Sequence, residues 1–162
     1  MTSNLTGEVT LSPRIHSINE IRSLSGATLG PSAYVRVSSE RIHAFADATD
    51  DHQWIHVDEE RASAGPFGGT IAHGYLILSL IPALLNEVLE VSEPGTRINY
   101  GLNRVRFVSP VPAESDVRLV ARVAEVTAAG EGWQIVFDVT LEIRDHDKPA
   151  CVAQVLYRWY PS

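Results

Sequence analysis

The sequence has a single cysteine, Cys151, among its 162 residues. A disulfide bond within the chain is therefore excluded, which suits a reducing compartment, and we expect a cytoplasmic protein. Cys151 stands in an apolar segment, where a cysteine usually fills a small space in the core and does not act as a nucleophile.

Long hydrophobic runs are missing as well. The longest apolar stretch, Tyr75 to Leu85, is shorter than the roughly 20 residues that a membrane-spanning helix needs. Residues 1–13 are polar and lack the basic-then-apolar order of a signal peptide. We therefore expect no association with a membrane.

Lysine is almost absent, because Lys148 is the only one beside twelve arginines, and the formal net charge is −7. An acidic chain without a stripe of basic residues is a poor candidate for nucleic-acid binding. We expect no nucleic-acid partner, although a local arginine cluster can still bind a small anionic ligand.

Three common catalytic or binding signatures do not occur. The chain has neither the G-x-S-x-G of serine hydrolases nor the H-E-x-x-H of zinc proteases. The glycine-rich run over 65–69 follows no strand and has no lysine after it, so it does not match a phosphate-binding loop.

The first half of the chain shows the helical spacing of apolar residues. One helix is predicted after Ser38 and Ser39, one of which can act as its N-cap, and a short helix is predicted after Asp58. Residues 75–89 are apolar on nearly all sides. They predict a third helix that is enclosed on several sides and kinked by Pro82.

Beyond Pro94 the apolar residues alternate with a period of two, which predicts antiparallel strands with one buried face. Within 98–107 the apolar positions change parity, which predicts a β-bulge near Asn103. Other strands are predicted over 34–37, 117–123, 135–143 and 151–159.

These elements predict one α+β domain over residues 21–162. A curved antiparallel sheet wrapped around the apolar helix is the arrangement that buries both apolar surfaces. Residues 1–20 form a polar N-terminal lead-in that we expect to be partly flexible.

The densest polar cluster lies between two apolar segments and holds four ionisable side chains within seven residues: Asp50, Asp51, His52 and His56. One interpretation is a solvated loop. The apolar pair Trp54-Ile55 favours another, in which the loop is pulled inward and its polar groups have partners or a purpose.

A metal site is a third interpretation of this cluster. Asp51, His52 and His56 are suitable ligands, and His73 lies further along the chain. The spacing does not place two histidines on one helical face, and there is no cysteine partner. We therefore expect no metal.

A second polar feature is the pair His73-Gly74 at the entry of the apolar helix. The first amides of a helix are unpaired and lie at the positive end of its dipole, so they can hold an oxyanion. Gly74 has no side chain to keep a ligand away from its amide. A purely structural glycine is the commoner alternative.

The stretch 45–58 together with 72–74 resembles the hydratase-2 motif of MaoC-like dehydratases. In that family an aspartate and a histidine five positions apart are followed, eighteen residues later, by the glycine of a His-Gly pair. Asp51, His56 and Gly74 have both spacings. The resemblance covers about residues 20–160.

Two departures from the commoner motif stand beside the catalytic pair. Gln53-Trp54 replaces Asn-Pro, which is similar to the nodulation-protein-N-like branch of 3-hydroxyacyl-thioester dehydratases. Asp50 replaces the usual glycine, and its carboxylate either acts on Asp51 or points to solvent. We expect the second, and we expect His52 to be a bystander.

The resemblance implies a hot-dog fold, an α+β fold in which a curved antiparallel sheet surrounds a long central helix. It implies the reversible hydration of a trans-2-enoyl-CoA, or another enoyl thioester, to the (R)-3-hydroxyacyl thioester. No metal or cofactor is implied, apart from coenzyme A as part of the substrate. The family's domains pair as dimers, so a homodimer with an acyl tunnel near the interface is expected.

Specific roles follow from the same resemblance. Asp51 is assigned as the base towards water, His56 as the group that orients the water and relays a proton, and the Gly74 amide as the donor to the enolate oxygen. Contacts with the substrate, or with the groups that orient it, are expected from Gln53, Trp54, His73, Tyr75, Asn103, Arg104 and Arg106. For the last three, which would bind the phosphates of coenzyme A, surface salt bridges are the alternative.

Two rival functions use the same fold. A hot-dog thioesterase usually carries an acid on the central helix, but the acids here, Glu87 and Glu90, lie at its far end. A non-catalytic partner subunit has no chemical need for Asp51, His56 and Gly74 together.

Overall fold

A computed structural model describes residues 13–162 of the chain. Its main element is a six-stranded sheet in which every pairing is antiparallel. The strands of the described residues are β1 (Arg14–Ile15), β2 (Thr28–Leu29), β3 (Val35–Val37), β4 (Glu90–Val91), β5 (Gly95–Phe107), β6 (Ser115–Ala129), β7 (Gly132–Ile143) and β8 (Cys151–Pro161).

The sheet runs in the order β2-β6-β7-β8-β5, and β3 also pairs with β6. The strands β1 and β4 form a separate parallel pair. The helices are α1 (Ser39–Thr49), α2 (Trp54–Val57), α3 (Glu59–Ser63), α4 (Gly74–Ser79) and α5 (Ile81–Val88), with a 3-10 helix over Ile18–Leu24. The predicted α+β class, a mostly antiparallel sheet with few helices, is confirmed.

The predicted alternation of buried and exposed residues is present in β6 and β8. The buried side of the sheet packs on α4 and α5, and its side chains include Leu119, Phe137 and Trp159. Each large side chain buried in this way stabilises the fold by about 1.5–3 kcal/mol.

The predicted bulge near Asn103 is confirmed. The pairing of β5 with β8 shifts in register between Leu102 and Arg104, and a second shift lies between Asn99 and Gly101. Each extra residue bends the strand and increases its local twist.

The helix predicted over 75–89 is present as α4 and α5, and its predicted interruption by Pro82 is confirmed. The helix breaks at Leu80, just before Pro82, which has no N–H for the helical hydrogen-bond ladder. The prediction that the segment is enclosed on several sides is wrong for the single chain, where it is buried on one side only. A stripe at four-residue spacing is exposed, and it consists of Tyr75, Ser79, Ala83 and Glu87.

The predicted N-caps are present. The hydroxyl of Ser38 accepts a hydrogen bond from the amide of Arg41, and the carboxylate of Asp58 accepts one from the amide of Arg61. Such caps satisfy amides that a helix leaves unpaired at its start.

The folded part begins before residue 21. Ile15 and Ile18 are buried in the hydrophobic core, so at least residues 13–20 of the expected lead-in belong to the domain. Residues 1–12 lie outside the described part of the chain. Within 13–162, no helix is long and apolar enough to cross a membrane.

Candidate active site

The loop after α1 brings Asp51 back towards the start of α4. The helix ends at Thr49, and Asp50 adopts the left-handed conformation with φ 57°. A left-handed residue directly after a helix reverses the chain and is usually glycine, because a side chain is strained there. This conformation explains why the related motif carries glycine at this position.

His56 lies in α2 and is 7% exposed. Its Nδ1 is 2.7 Å from the carbonyl oxygen of Ile71. Since a carbonyl only accepts, Nδ1 carries the proton, and in the neutral ring Nε2 bears a free lone pair. Burial lowers the pKa of His56, with a smaller lowering effect from His73 and opposing effects of the Ile71 hydrogen bond and the Asp51 charge. The ring is therefore neutral at neutral pH.

His73 contacts both members of the predicted pair. It precedes α4, is 2% exposed, and donates from Nε2 to the main-chain oxygen of Asp51 at 2.9 Å. Its ring is stacked on that of His56, with centroids 3.7 Å apart and planes inclined by 23°. The ring of Phe45 lies 5.1 Å away.

These contacts bring Asp51, His56 and His73 together. A carboxylate oxygen of the first and a ring nitrogen of each histidine lie within 4.8 Å of one another. Two hydrogen bonds of about 2.8 Å to one water span this distance at an angle of about 118° at the water oxygen. The Asp51 carboxylate and the His56 ring are therefore close enough for one water molecule to hydrogen-bond to both.

The same three side chains are of the types that bind transition metals. However, Nδ1 of His56 and Nε2 of His73 both donate to main-chain carbonyls. The rings also lie nearly parallel, so their in-plane lone pairs are not directed at one point. A metal at this position requires one of the two rings to turn.

Gly74 is the first residue of α4, so its amide has no acceptor within the helix. The ring of Phe107 from β5 lies directly against its α-carbon. A Cβ atom at position 74 would stand 2.9 Å from two ring carbons of Phe107. Glycine is therefore required here by a close approach.

A cavity of about 200 Å³ opens between His56, Gly74 and Phe107. Most of its wall is apolar, which suits a hydrocarbon chain. The remaining lining residues are Ile71, Ala72, Ile77, Val108, Ser109, Pro110, Val111 and Ala150.

The chain matches the family model described as MaoC like domain over residues 21–143. It belongs to the MaoC-like domain family. It is 45% identical over 144 residues to 3-hydroxyacyl-thioester dehydratase Z of Mycobacterium tuberculosis (strain ATCC 25618 / H37Rv), covering 88% of this chain and 95% of that protein. It is 43% identical over 140 residues to nodulation protein N of Rhizobium leguminosarum bv. viciae, covering 85% and 87%.

The fold of this MaoC-like protein is also that of a solved structure, the R-hydratase PhaJ1 from Pseudomonas aeruginosa in the unliganded form. The TM-score is 0.67 at 22% identity, over 85% of this chain and 83% of that one. The hot-dog fold expected from the sequence is thereby confirmed.

Three other residues proposed as substrate contacts lie around this site without lining the cavity. Gln53 precedes α2 and is exposed, and its carbonyl accepts a hydrogen bond from the amide of His56. Trp54 packs against Gly65 and under the guanidinium of Arg61. Tyr75 is 70% exposed and meets Phe107 edge to face at 6.0 Å.

The sheet separates Asn103, Arg104 and Arg106 from the Gly74 side of the same chain. Phe107 contacts Gly74 and pairs with Cys151, whose side chain is on the buried face of β8. Arg104 and Arg106 pair with residues of β8 whose side chains are on the opposite face. Asn103 donates to Gln154, and Arg104 lies 3.5 Å from Asp138. Their contact with coenzyme A stays a prediction, and a single chain does not bring them to the cavity.

Asp50 and His52 point away from the cavity. Asp50 is exposed, and Nε2 of His52 lies 2.8 Å from the carboxylate of Asp47 on α1. That hydrogen bond raises the pKa of His52. Neither side chain contacts Asp51 or His56 through a hydrogen bond in the described structure.

Two features of the site were missed from the sequence. The carbonyl of Ile71 sets the tautomer of His56, but a main-chain group leaves no signal in the residue types. The approach of Phe107 to Gly74 joins residues 33 positions apart. The parity change in 98–107 indicated an irregular strand but not this contact, because Leu102 and Phe107 pair with Val155 and Cys151 and so share one face.

Proposed function

We propose that this protein catalyses the reversible hydration of a trans-2-enoyl thioester to the (R)-3-hydroxyacyl thioester. The observation that carries the proposal is a carboxylate and a neutral, buried imidazole within 4.8 Å of each other, next to the free amide of Gly74. The names of two relatives, 3-hydroxyacyl-thioester dehydratase and 3-hydroxybutyryl-CoA dehydratase, support this reaction class.

The attacking water is held between Asp51 and His56. Both the carboxylate and the free Nε2 of His56 are acceptors, so the water donates one proton to each. Its lone pairs are then free to face the β-carbon of the substrate. A water held in one orientation at the reacting atom lowers the barrier, because its freedom of motion is lost before the reaction.

The bond changes balance without a further reactant. The water oxygen bonds to the β-carbon, the π electrons move to form an enolate, and Nε2 of His56 takes a water proton. The enolate then takes this proton on its α-carbon and restores the thioester carbonyl, which leaves His56 neutral again. The tautomer of His56 thus favours it as the base, in place of Asp51, which the sequence resemblance suggested.

The negative charge that develops on the thioester oxygen needs a donor that is already in place. The amide of Gly74 supplies it, since no side chain at this position shields the N–H. A donor of this kind typically stabilises a transition state by about 3 kcal/mol. Asp51 stabilises the imidazolium that forms on His56 during the step.

No metal or other cofactor takes part in this scheme. His56 transfers the proton, Asp51 holds the water and stabilises the imidazolium, and the Gly74 amide is the oxyanion donor. Prolonged dialysis against a chelator is therefore expected to leave the hydration rate unchanged. A loss of activity that added Zn²⁺ restores would contradict this expectation.

The active form is proposed to be a homodimer that pairs through β5. This strand has 13 residues, pairs only with β8 among the described strands, and lies at the edge of the sheet. Long apolar edge strands readily pair with another chain. The exposed apolar side chains at this edge are Ile98, Tyr100, Leu102, Phe107 and Val108.

Sedimentation equilibrium tests the dimer, because one chain has a mass of 17.7 kDa. Leu102 lies near the middle of β5, so a two-fold axis through that region brings it close to its own copy. Leu102→Lys then places two like charges together and is expected to weaken dimerisation. A wild-type protein that is monomeric at micromolar concentration contradicts the proposal.

The reaction is tested by incubating the protein with crotonyl-CoA and following the loss of the enoyl absorbance. Asp51→Asn and His56→Ala are each expected to lower kcat by about 100-fold or more. His52→Ala, which changes a histidine of the same loop that hydrogen-bonds only to Asp47, is the matched control and is expected to keep the wild-type rate.

Free coenzyme A, measured with a thiol reagent, distinguishes hydration from thioester hydrolysis. Release of coenzyme A without hydration identifies a thioesterase and contradicts the proposal. The two acids considered for the central helix are engaged elsewhere. Glu87 on α5 accepts a hydrogen bond from the amide of Ala33, and Glu90, which lies in β4 and not on the helix, pairs with Arg14. Inactivity towards both short and long enoyl thioesters favours the non-catalytic subunit instead.

A further inference from the structure

His73 takes no direct part in the proposed proton transfers, but it contacts Asp51 and His56, the two side chains that hold the attacking water. Its Nε2 donates to the main chain of Asp51, and its ring covers one face of His56. We infer that His73 is a positioning residue, which holds the Asp51 carboxylate and the His56 ring at a separation that one water molecule can bridge. This inference rests on the proposed function.

The hydrogen bond of His73 determines its tautomer. The main-chain oxygen of Asp51 only accepts, so Nε2 carries the proton. Nδ1 is buried and has no hydrogen-bond partner among residues 13–162. Of the two neutral tautomers of His73, these contacts favour the one that carries its proton on Nε2.

The stack of His73 also restricts the His56 ring. Because the two ring centroids are 3.7 Å apart, His56 cannot tilt towards His73, and the direction of its free Nε2 is held. The titratable and charged groups that act on His56 are His73 at the start of α4 and Asp51 after α1. The carbonyl of Ile71 completes its surroundings.

The hydrogen bond of His73 to Asp51 can be removed while its stack on His56 is kept. Phenylalanine keeps a ring against His56 but cannot donate to Asp51, whereas alanine loses both contacts. His73→Phe therefore removes the hydrogen bond from Nε2 to the Asp51 main chain, together with the 4.0 Å approach of the same nitrogen to the Asp51 carboxylate. His52→Phe makes the same chemical change at an exposed position of the neighbouring loop and is the matched control.

His73→Phe is expected to lower kcat for crotonyl-CoA by about 100-fold, because the loop that carries Asp51 is released while the pocket is kept. The KM is expected to change little, since the residue touches no substrate. An unchanged kcat, or a loss confined to KM, overturns the inference. The control is expected to behave as the wild type.

The pH dependence of kcat/KM distinguishes a positioning role of His73 from a purely structural one. His73→Ala uncovers one face of the buried His56 ring, so water reaches the ring and the pKa of His56 is expected to rise towards its ordinary value. The acid limb of kcat/KM then moves to higher pH. In His73→Phe the face stays covered, so the limb stays close to its wild-type position. Equal shifts in both variants contradict the inference.

A measurement on the wild type covers the case in which the variants do not fold. Two-bond ¹H–¹⁵N spectra of the labelled protein distinguish the tautomers of single imidazole rings. We expect a proton on Nε2 in His73 and on Nδ1 in His56. A His73 ring whose proton lies on Nδ1 in place of Nε2 overturns the inference. This experiment needs no substrate, so it stands even if the protein hydrates no enoyl thioester.

Discussion

The ring of Phe107 lies against the α-carbon of Gly74 so closely that a Cβ atom there would be 2.9 Å from two of the ring carbons. Contacts this short do not occur between a real Cβ and a neighbouring ring, so one of the two groups has to move. The strand β5 therefore forms one wall of the space above the Gly74 amide. This approach connects the edge strand of the proposed dimer to the oxyanion donor of the proposed reaction.

Gly74→Ala is expected to lower kcat by about 10-fold or more, because either the amide or the ring of Phe107 is displaced. Hydration of crotonyl-CoA checks this expectation. The double variant Gly74→Ala with Phe107→Ala removes the collision and is expected to recover part of the lost rate. If the double variant is as slow as the product of the two single effects predicts, the collision is not the cause.

The pH dependence of hydration follows from the state of His56. Burial lowers its pKa from the ordinary value of 6.5, and the neutral ring is the form that accepts a proton from water. The value of kcat/KM is therefore expected to be constant near neutral pH and to fall only below pH 6.5, as the ring becomes protonated. An acid limb centred above 6.5 contradicts this assignment. His52→Ala is expected to leave the limb in place.

Asp50 is expected to limit stability through its backbone. Its φ of 57° is strained for a residue with a side chain and unstrained for glycine. Asp50→Ala is therefore expected to destabilise the fold by about 1 kcal/mol relative to Asp50→Gly, which corresponds to about 2–4 °C in Tm. Both variants lose the same charge, so the comparison isolates the backbone. Equal melting temperatures contradict the explanation, and the hydration rate should be unaffected in Asp50→Gly.

Arg106 is expected to contact coenzyme A only through a second subunit, since it lies on the side of the sheet opposite to Gly74 in its own chain. Arg106→Gln should raise the KM for crotonyl-CoA by about 5-fold, which corresponds to about 1 kcal/mol. The KM for crotonyl-N-acetylcysteamine, which carries no phosphates, should stay unchanged. The matched control is Arg122→Gln, which removes an arginine that pairs with Asp138 on the same face. If Arg106→Gln raises the KM for both substrates, or for neither, Arg106 does not bind the phosphates of coenzyme A.

Much of the fold was predictable because the relevant interactions are local. Alternation in β6 and the N-caps at Ser38 and Asp58 depend on residues within a few positions of one another. The helix over 75–89 was predicted correctly with its interruption at Pro82 but was predicted too enclosed. Its break near Pro82 is a local effect of known type, but the exposed stripe of Tyr75 and Ser79 depends on which surfaces the rest of the chain covers.

The amino-acid sequence by itself determined the residue types and spacing of Asp51, His56 and Gly74, and through them the family. Only the tertiary structure decided which nitrogen of His56 is free, because a carbonyl fifteen positions away holds the other one. The stack of His73 on His56 and the side of the sheet that bears Arg106 were decided in the same way. These features depend on atoms that are distant along the chain, and no local pattern of residues encodes where such atoms meet.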